Sequence, residues 1–78
     1  IGTEETIGRA FRDIVKNAPV PGAYLLIGDE PSTDRIQYHA IPAPVFTLPL
    51  GNNNSSTMVA FRHLARQTGG RMLEMQLK

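Results

Sequence analysis

The chain has 78 residues, enough for one domain and too few for two. Its 41% hydrophobic and 19% charged residues fit a globular domain and argue against disorder. A net charge of +1 points to no nucleic-acid or membrane surface, and the absence of cysteine excludes a disulfide framework and a thiolate zinc site.

No apolar run approaches the roughly 20 residues of a membrane span, and no signal peptide is visible. The chain begins at Ile1 rather than Met, which implies processing or excision from something longer. Taken from its start, the sequence predicts a first helix from Glu4 to Asn17. Ile7, Ala10, Phe11, Ile14, Val15 and Ala18 recur at three- and four-residue spacing and make one apolar stripe. Thr3 is a good N-cap, Glu4 and Glu5 suit the first turn, and Lys16 suits the last. Pro19 and Pro21 prevent continuation. The first strand is Ala23 to Ile27. Its run is apolar without alternation, which predicts a strand covered on both faces, as in a parallel sheet. It ends at Gly28-Asp29-Glu30-Pro31.

Residues Ser32 to Pro44 form a tight connection, with Ser32 or Thr33 able to cap one or two helical turns through Asp34 to His39. The second strand is Val45 to Leu48. Pro49 cannot donate to a ladder, so pairing stops there or the strand lies near an edge. After the loop Gly51 to Thr57, with Ser55, Ser56 and Thr57 as candidate caps, a second helix buries Met58, Phe61, Leu64, Ala65 and Thr68. It turns Arg62, His63 and Arg66 outward. Gly69 terminates it. A third strand alternates, with Leu73, Met75 and Leu77 on one side and Glu74, Gln76 and Lys78 on the other, the pattern of an edge strand with one wet face. Strand, helix, strand in that order is a βαβ unit. The expected fold is one α/β domain over residues 1–78, with a three-stranded, mostly parallel sheet and flanking helices.

Few side chains point to chemistry. Asp29 stands at the carboxyl end of a predicted parallel strand, where open α/β sheets place their ligands; a turn residue is the alternative. Asp29, Glu30 and Asp34 could form an acidic cluster or a solvated loop. His39 and His63 have no partner at metal-ligand spacing. The loop GNNNSST lacks the phosphate-cradling pattern, and no serine sits in a nucleophile elbow. Arg9, Arg12, Arg62 and Arg66 read as solvated helix faces. Asn53 and Asn54 each begin an N-x-S sequon, which matters only in a secreted protein.

Three segments together resemble the second half of a von Willebrand factor type A domain. Gly2-Thr3 opening a helix is similar to the family's "GT" element. Tyr24-Leu25-Leu26-Ile27-Gly28-Asp29-Glu30 looks like its hydrophobic strand ending in "TDG". Val45-Phe46-Thr47-Leu48-Pro49-Leu50-Gly51, then Leu64-Ala65 and Thr68-Gly69-Gly70, looks like its closing segment. The resemblance implies a Rossmann-like doubly wound fold and a non-catalytic, adhesion-type protein-binding role. It also implies a metal-ion-dependent adhesion site in which Thr3 would be the threonine ligand and Asp29 the aspartate. The chain departs from the family where that site is densest. It has no D-x-S-x-S loop, and the "TDG" position reads Gly28-Asp29-Glu30. Mg²⁺ is therefore expected only if a D-x-S-x-S segment is supplied from elsewhere. A three-stranded parallel sheet has two edges and needs helices on both faces. The expected partner is accordingly a protein: an N-terminal half of the same precursor, a second copy in a homo-oligomer, or another chain. The alternative is a receiver- or nucleotide-binding-like domain holding Mg²⁺ and a phosphate at Asp29.

Overall fold

In a computed structural model, residues 5–51 and 55–74 are described. The order of elements is α1 (Ile7–Asn17), β1 (Tyr24–Gly28), a 3-10 turn (Tyr38–Ala40), β2 (Val45–Pro49) and α2 (Ser55–Thr68). β1 and β2 pair in parallel, with Tyr24 opposite Val45 and Gly28 opposite Pro49. The protein is thus a small α/β domain with two parallel strands and two helices. The predicted third strand is represented by one parallel bridge, Met72 to Thr47. There Thr47 N–H donates to the Arg71 carbonyl at 3.1 Å and Leu73 N–H to the Thr47 carbonyl at 2.6 Å. Met75 and Leu77, assigned to that strand from their alternation, lie outside the described residues. β2 ends at Pro49, yet pairing with β1 runs one bond further, through Leu50 N–H to the Gly28 carbonyl at 2.8 Å; the missing Pro49 N–H lies on the side of β2 away from β1.

Parallel register puts Tyr24, Leu26, Val45 and Thr47 on one face. Val45, Phe61 and Leu64 are buried there together with Ile7 and Phe11, so both helices contribute to a single core. Thr47 and Val45 have no exposed surface at all. The Thr47 hydroxyl donates to the Phe61 carbonyl at 3.1 Å, which gives a polar group in the core its partner. The other face of the sheet carries Leu25 and Ile27, 58% and 52% exposed. This corrects the expectation that the first strand is covered on both faces. An apolar run reports what a strand would bury in a complete sheet, and here the described helices lie against one face only.

The apolar stripe of α1 is used in part. Ile7 and Phe11 are buried, whereas Ala10, Ile14, Val15 and Ala18 are exposed. A sheet of two strands is too narrow to cover the whole stripe. No Cα of α1 lies within 8 Å of one in β1, β2 or α2. The helix is held instead by side chains: Ile7 and Phe11 enter the core, the Phe11 ring meeting Tyr24 edge-on with centroids 5.4 Å apart, and Asp34 binds its first turn. α2 buries Phe61, Leu64 and Ala65 as expected and adds Thr57; Arg62, His63 and Arg66 face outward. His63 also lies edge-on against Tyr38, with ring centroids 5.0 Å apart. Ser55 to Thr57 fall inside the first turn of α2 rather than before it. The connection from Ser32 to Pro44 forms the 3-10 turn Tyr38–Ala40 in place of a helix over Asp34 to His39, because Asp34 is engaged elsewhere.

Candidate functional site at the tip of β1

β1 delivers Asp29 to the end of the sheet, and three contacts fix that end. Leu50 N–H donates to the Gly28 carbonyl at 2.8 Å. The Thr57 hydroxyl donates to the Asp29 carbonyl at 3.2 Å, joining the strand tip to the first turn of α2. Thr33 N–H donates to the Glu5 carbonyl at 2.8 Å, drawing the entry of α1 to the same place. As a result the carboxylates of Glu5, Asp29 and Glu30 lie within 4.8 Å of one another. Asp29 and Glu30 are exposed.

The cluster differs from the one anticipated. Glu5 replaces Asp34, and the reason is tertiary. Sequence spacing places Glu5 in the first turn of a helix starting at Glu4, yet α1 begins at Ile7, which leaves Glu5 in the approach segment. Nothing local to Glu5 signals that Thr33, 28 residues away, will hold its carbonyl. Asp34 points the other way and closes the N-terminus of α1. Its two carboxylate oxygens accept from Gly8 N–H and Arg9 N–H, each at 2.8 Å. Ser32 Oγ donates to Asp34 Oδ1 at 2.5 Å, and Arg12 Nη2 lies 3.8 Å from Oδ2. The Ser32 hydrogen bond, the two backbone amides and the Arg12 charge hold the Asp34 carboxyl below the usual aspartate range, against a smaller opposing effect of burial. Thr3, read as a cap or a metal ligand, lies outside the described residues. The N-cap position belongs to Thr6, whose side chain makes no capping bond.

Three carboxylates, with no cation paired to them among the described residues, make the tip electronegative. Among the described residues the ion pair present is Arg12 with Asp34, away from the tip. Such oxygens are hard donors of the kind Mg²⁺ and Ca²⁺ accept. They do not fit the adhesion site that the resemblance implies, since that site relies on the serine hydroxyls of a D-x-S-x-S loop, and the chain contains none.

Beside the tip, a groove of about 330 Å³ runs between α1 and β1. Ala10, Phe11 and Ile14 line one wall and Tyr24, Leu25 and Leu26 the other, with Glu5 at the acidic end. No family model matches the chain, and neither a curated protein nor a solved structure matches it.

Proposed function

We propose that this chain is a non-catalytic protein-interaction module, with an architecture similar to the second half of a von Willebrand factor type A domain. One observation carries the reading: the outer face of the sheet is apolar and open, and among the described residues no strand pairs with the outer edge of β1. Leu25 and Ile27 are each more than half exposed, and Ile14, in the groove beside β1, is 44% exposed. Burying a Leu or Ile side chain stabilises by about 1.5–3 kcal/mol. A two-stranded sheet with one bare face is marginal by itself. The covering layer can come from a second copy, from another protein, or from a preceding segment where the chain belongs to a longer one. Light scattering and thermal unfolding over a range of protein concentrations test the reading. Association, with a Tm that rises with concentration, is expected. A chain that stays monomeric and unfolds cooperatively at high temperature overturns it.

A second reading, a strand-tip site for Mg²⁺ and a phosphate, is favoured by the convergence of Glu5, Asp29 and Glu30. Specific binding would raise stability with the logarithm of Mg²⁺ concentration. No change in Tm at millimolar Mg²⁺, with and without inorganic phosphate, rules it out.

A further inference from the structure

We propose that the groove between α1 and the free edge of β1 accepts an extended, alternately apolar segment of a partner protein as an added strand, with a Lys or Arg at the end that meets Glu5, Asp29 and Glu30. The inference rests on the interaction-module reading and names the chemistry of the partner. Its first support is the backbone of β1. Tyr24 N–H donates to the Pro44 carbonyl, and the Gly28 carbonyl accepts from Leu50 N–H, both across to β2. In a parallel pair, alternate residues direct their N–H and C=O to the same neighbour. Leu25 and Ile27 therefore direct theirs away from β2, and among the described residues no strand pairs with them. A row of free donors and acceptors is a template for another strand.

The groove supplies the second support. A strand added beside β1 would lie about 4.8 Å from it, which sets alternate side chains over the apolar walls formed by Ala10, Ile14 and Phe11. Five residues of β1 are available, so a segment of about five residues matches its length. Charge is the third. Among the described residues, Glu5 is the one acidic or basic side chain lining the groove, and it belongs to the carboxylate cluster at the β1 tip. A cationic side chain arriving there relieves repulsion among three carboxylates, whereas an acidic one adds to it. A bound metal ion alone would answer the charge but leave the backbone edge and the apolar walls unfilled.

The test uses the full chain and synthetic peptides that alternate valine and threonine. They carry two lysines or two glutamates at either end, and binding is followed by fluorescence anisotropy. We expect at least one lysine-ended peptide to bind about tenfold or more tightly than its glutamate counterpart. Among the described residues the side chains of Glu5, Asp29 and Glu30 make no hydrogen bond or ion pair that holds the fold, and the preference should vanish in the triple variant Glu5→Gln, Asp29→Asn, Glu30→Gln. It should also collapse at about 0.5 M salt, where screening falls to a few ångströms. N-methylation of alternate peptide amides should abolish binding. Equal binding of lysine- and glutamate-ended peptides overturns the charge assignment, and indifference to N-methylation overturns edge pairing. Absence of any peptide binding in a chain that still self-associates overturns this inference and spares the interaction-module reading. The same absence in a stable monomer overturns both.

Discussion

Gly8 and Arg9 amides, in the first turn of α1, find their acceptor in Asp34, 26 and 25 residues further along the chain. A helix leaves its first N–H groups without intrahelical partners, and a carboxylate there also meets the positive end of the helix dipole. Replacing Asp34 by Ala should therefore destabilise the fold by about 1–2 kcal/mol in urea melts at neutral pH. Acid should expose the same contact. Because the folded-state pKa lies below the unfolded value of about 3.9, the stabilisation is complete above that value and is lost as pH falls through the folded one. The stability gap between the wild type and Asp34→Asn should thus be wide at pH 6 and close below about pH 4. A gap that is independent of pH would remove the carboxylate from this role. Gly8 permits the approach. A Cβ there would overlap the Arg35 carbonyl oxygen, whereas a Cβ at Gly22 would meet nothing within 4 Å. Gly8→Ala should destabilise by about 1–3 kcal/mol. Gly22→Ala should change stability by no more than about 0.5 kcal/mol.

Among the elements, β2 is the best anchored. Its Val45 N–H donates to Thr68 Oγ1 at 2.9 Å, and the same hydroxyl donates back to the last turn of α2. α2 then ends on Gly69, whose φ of 84° a side chain would strain. The Gly70 N–H caps the helix by donating to the Ala65 carbonyl at 2.8 Å. Gly70 also lies against β2 so closely that a Cβ would overlap the Val45 carbonyl. This contact starts the segment from Arg71 to Leu73 alongside β2. Gly70→Ala should lower stability by about 1–3 kcal/mol. Hydrogen exchange should show the Thr47 and Leu73 amides losing protection before those of α2, since both bonds depend on that approach. Equal loss throughout would mean that the 71–73 segment and α2 form one cooperative unit. α1 is the contrasting element. With Ile14 and Val15 exposed, only its first two turns are fastened to the rest.

At the scale of the whole molecule, the asymmetry between two faces dominates. The core face is filled by Val45, Thr47, Phe61 and Leu64, while the outer face presents Leu25 and Ile27 to solvent. Replacing both outer residues with Thr retains strand propensity and removes apolar surface. The double variant Leu25→Thr, Ile27→Thr should keep the Tm of the dissociated chain within a few degrees. Its apparent mass in light scattering should fall relative to the wild type. Unchanged association would place the contact elsewhere. Among the described residues, the partly open stripe of α1, the exposed outer face and the edge of β1 without a partner strand share a cause: two strands supply too little sheet for the apolar surface that the sequence carries.

Much of the local architecture was legible in the sequence. The 3–4 spacing of Phe61, Leu64 and Ala65 located α2, Gly69 marked its end, and the apolar run of Ala23 to Ile27 located β1 to within one residue at each end. These follow from backbone conformation and periodicity, which neighbouring residues determine. The strand tip at Asp29 was legible for the same reason. Long-range pairing was not: no local pattern shows that Asp34 caps α1 or that Thr33 draws Glu5 beside Asp29 and Glu30. Nor could a continuous apolar strand show which face would be covered, since periodicity records the demand for burial and only the arrangement of neighbours meets it. By itself the sequence determined the two helices and two strands, their order and the apolar surface each must hide, but not the third strand, of which one bridge at Met72 is described. The tertiary structure alone decided which carboxylates converge and which face stays open, because both depend on contacts between segments that are distant along the chain.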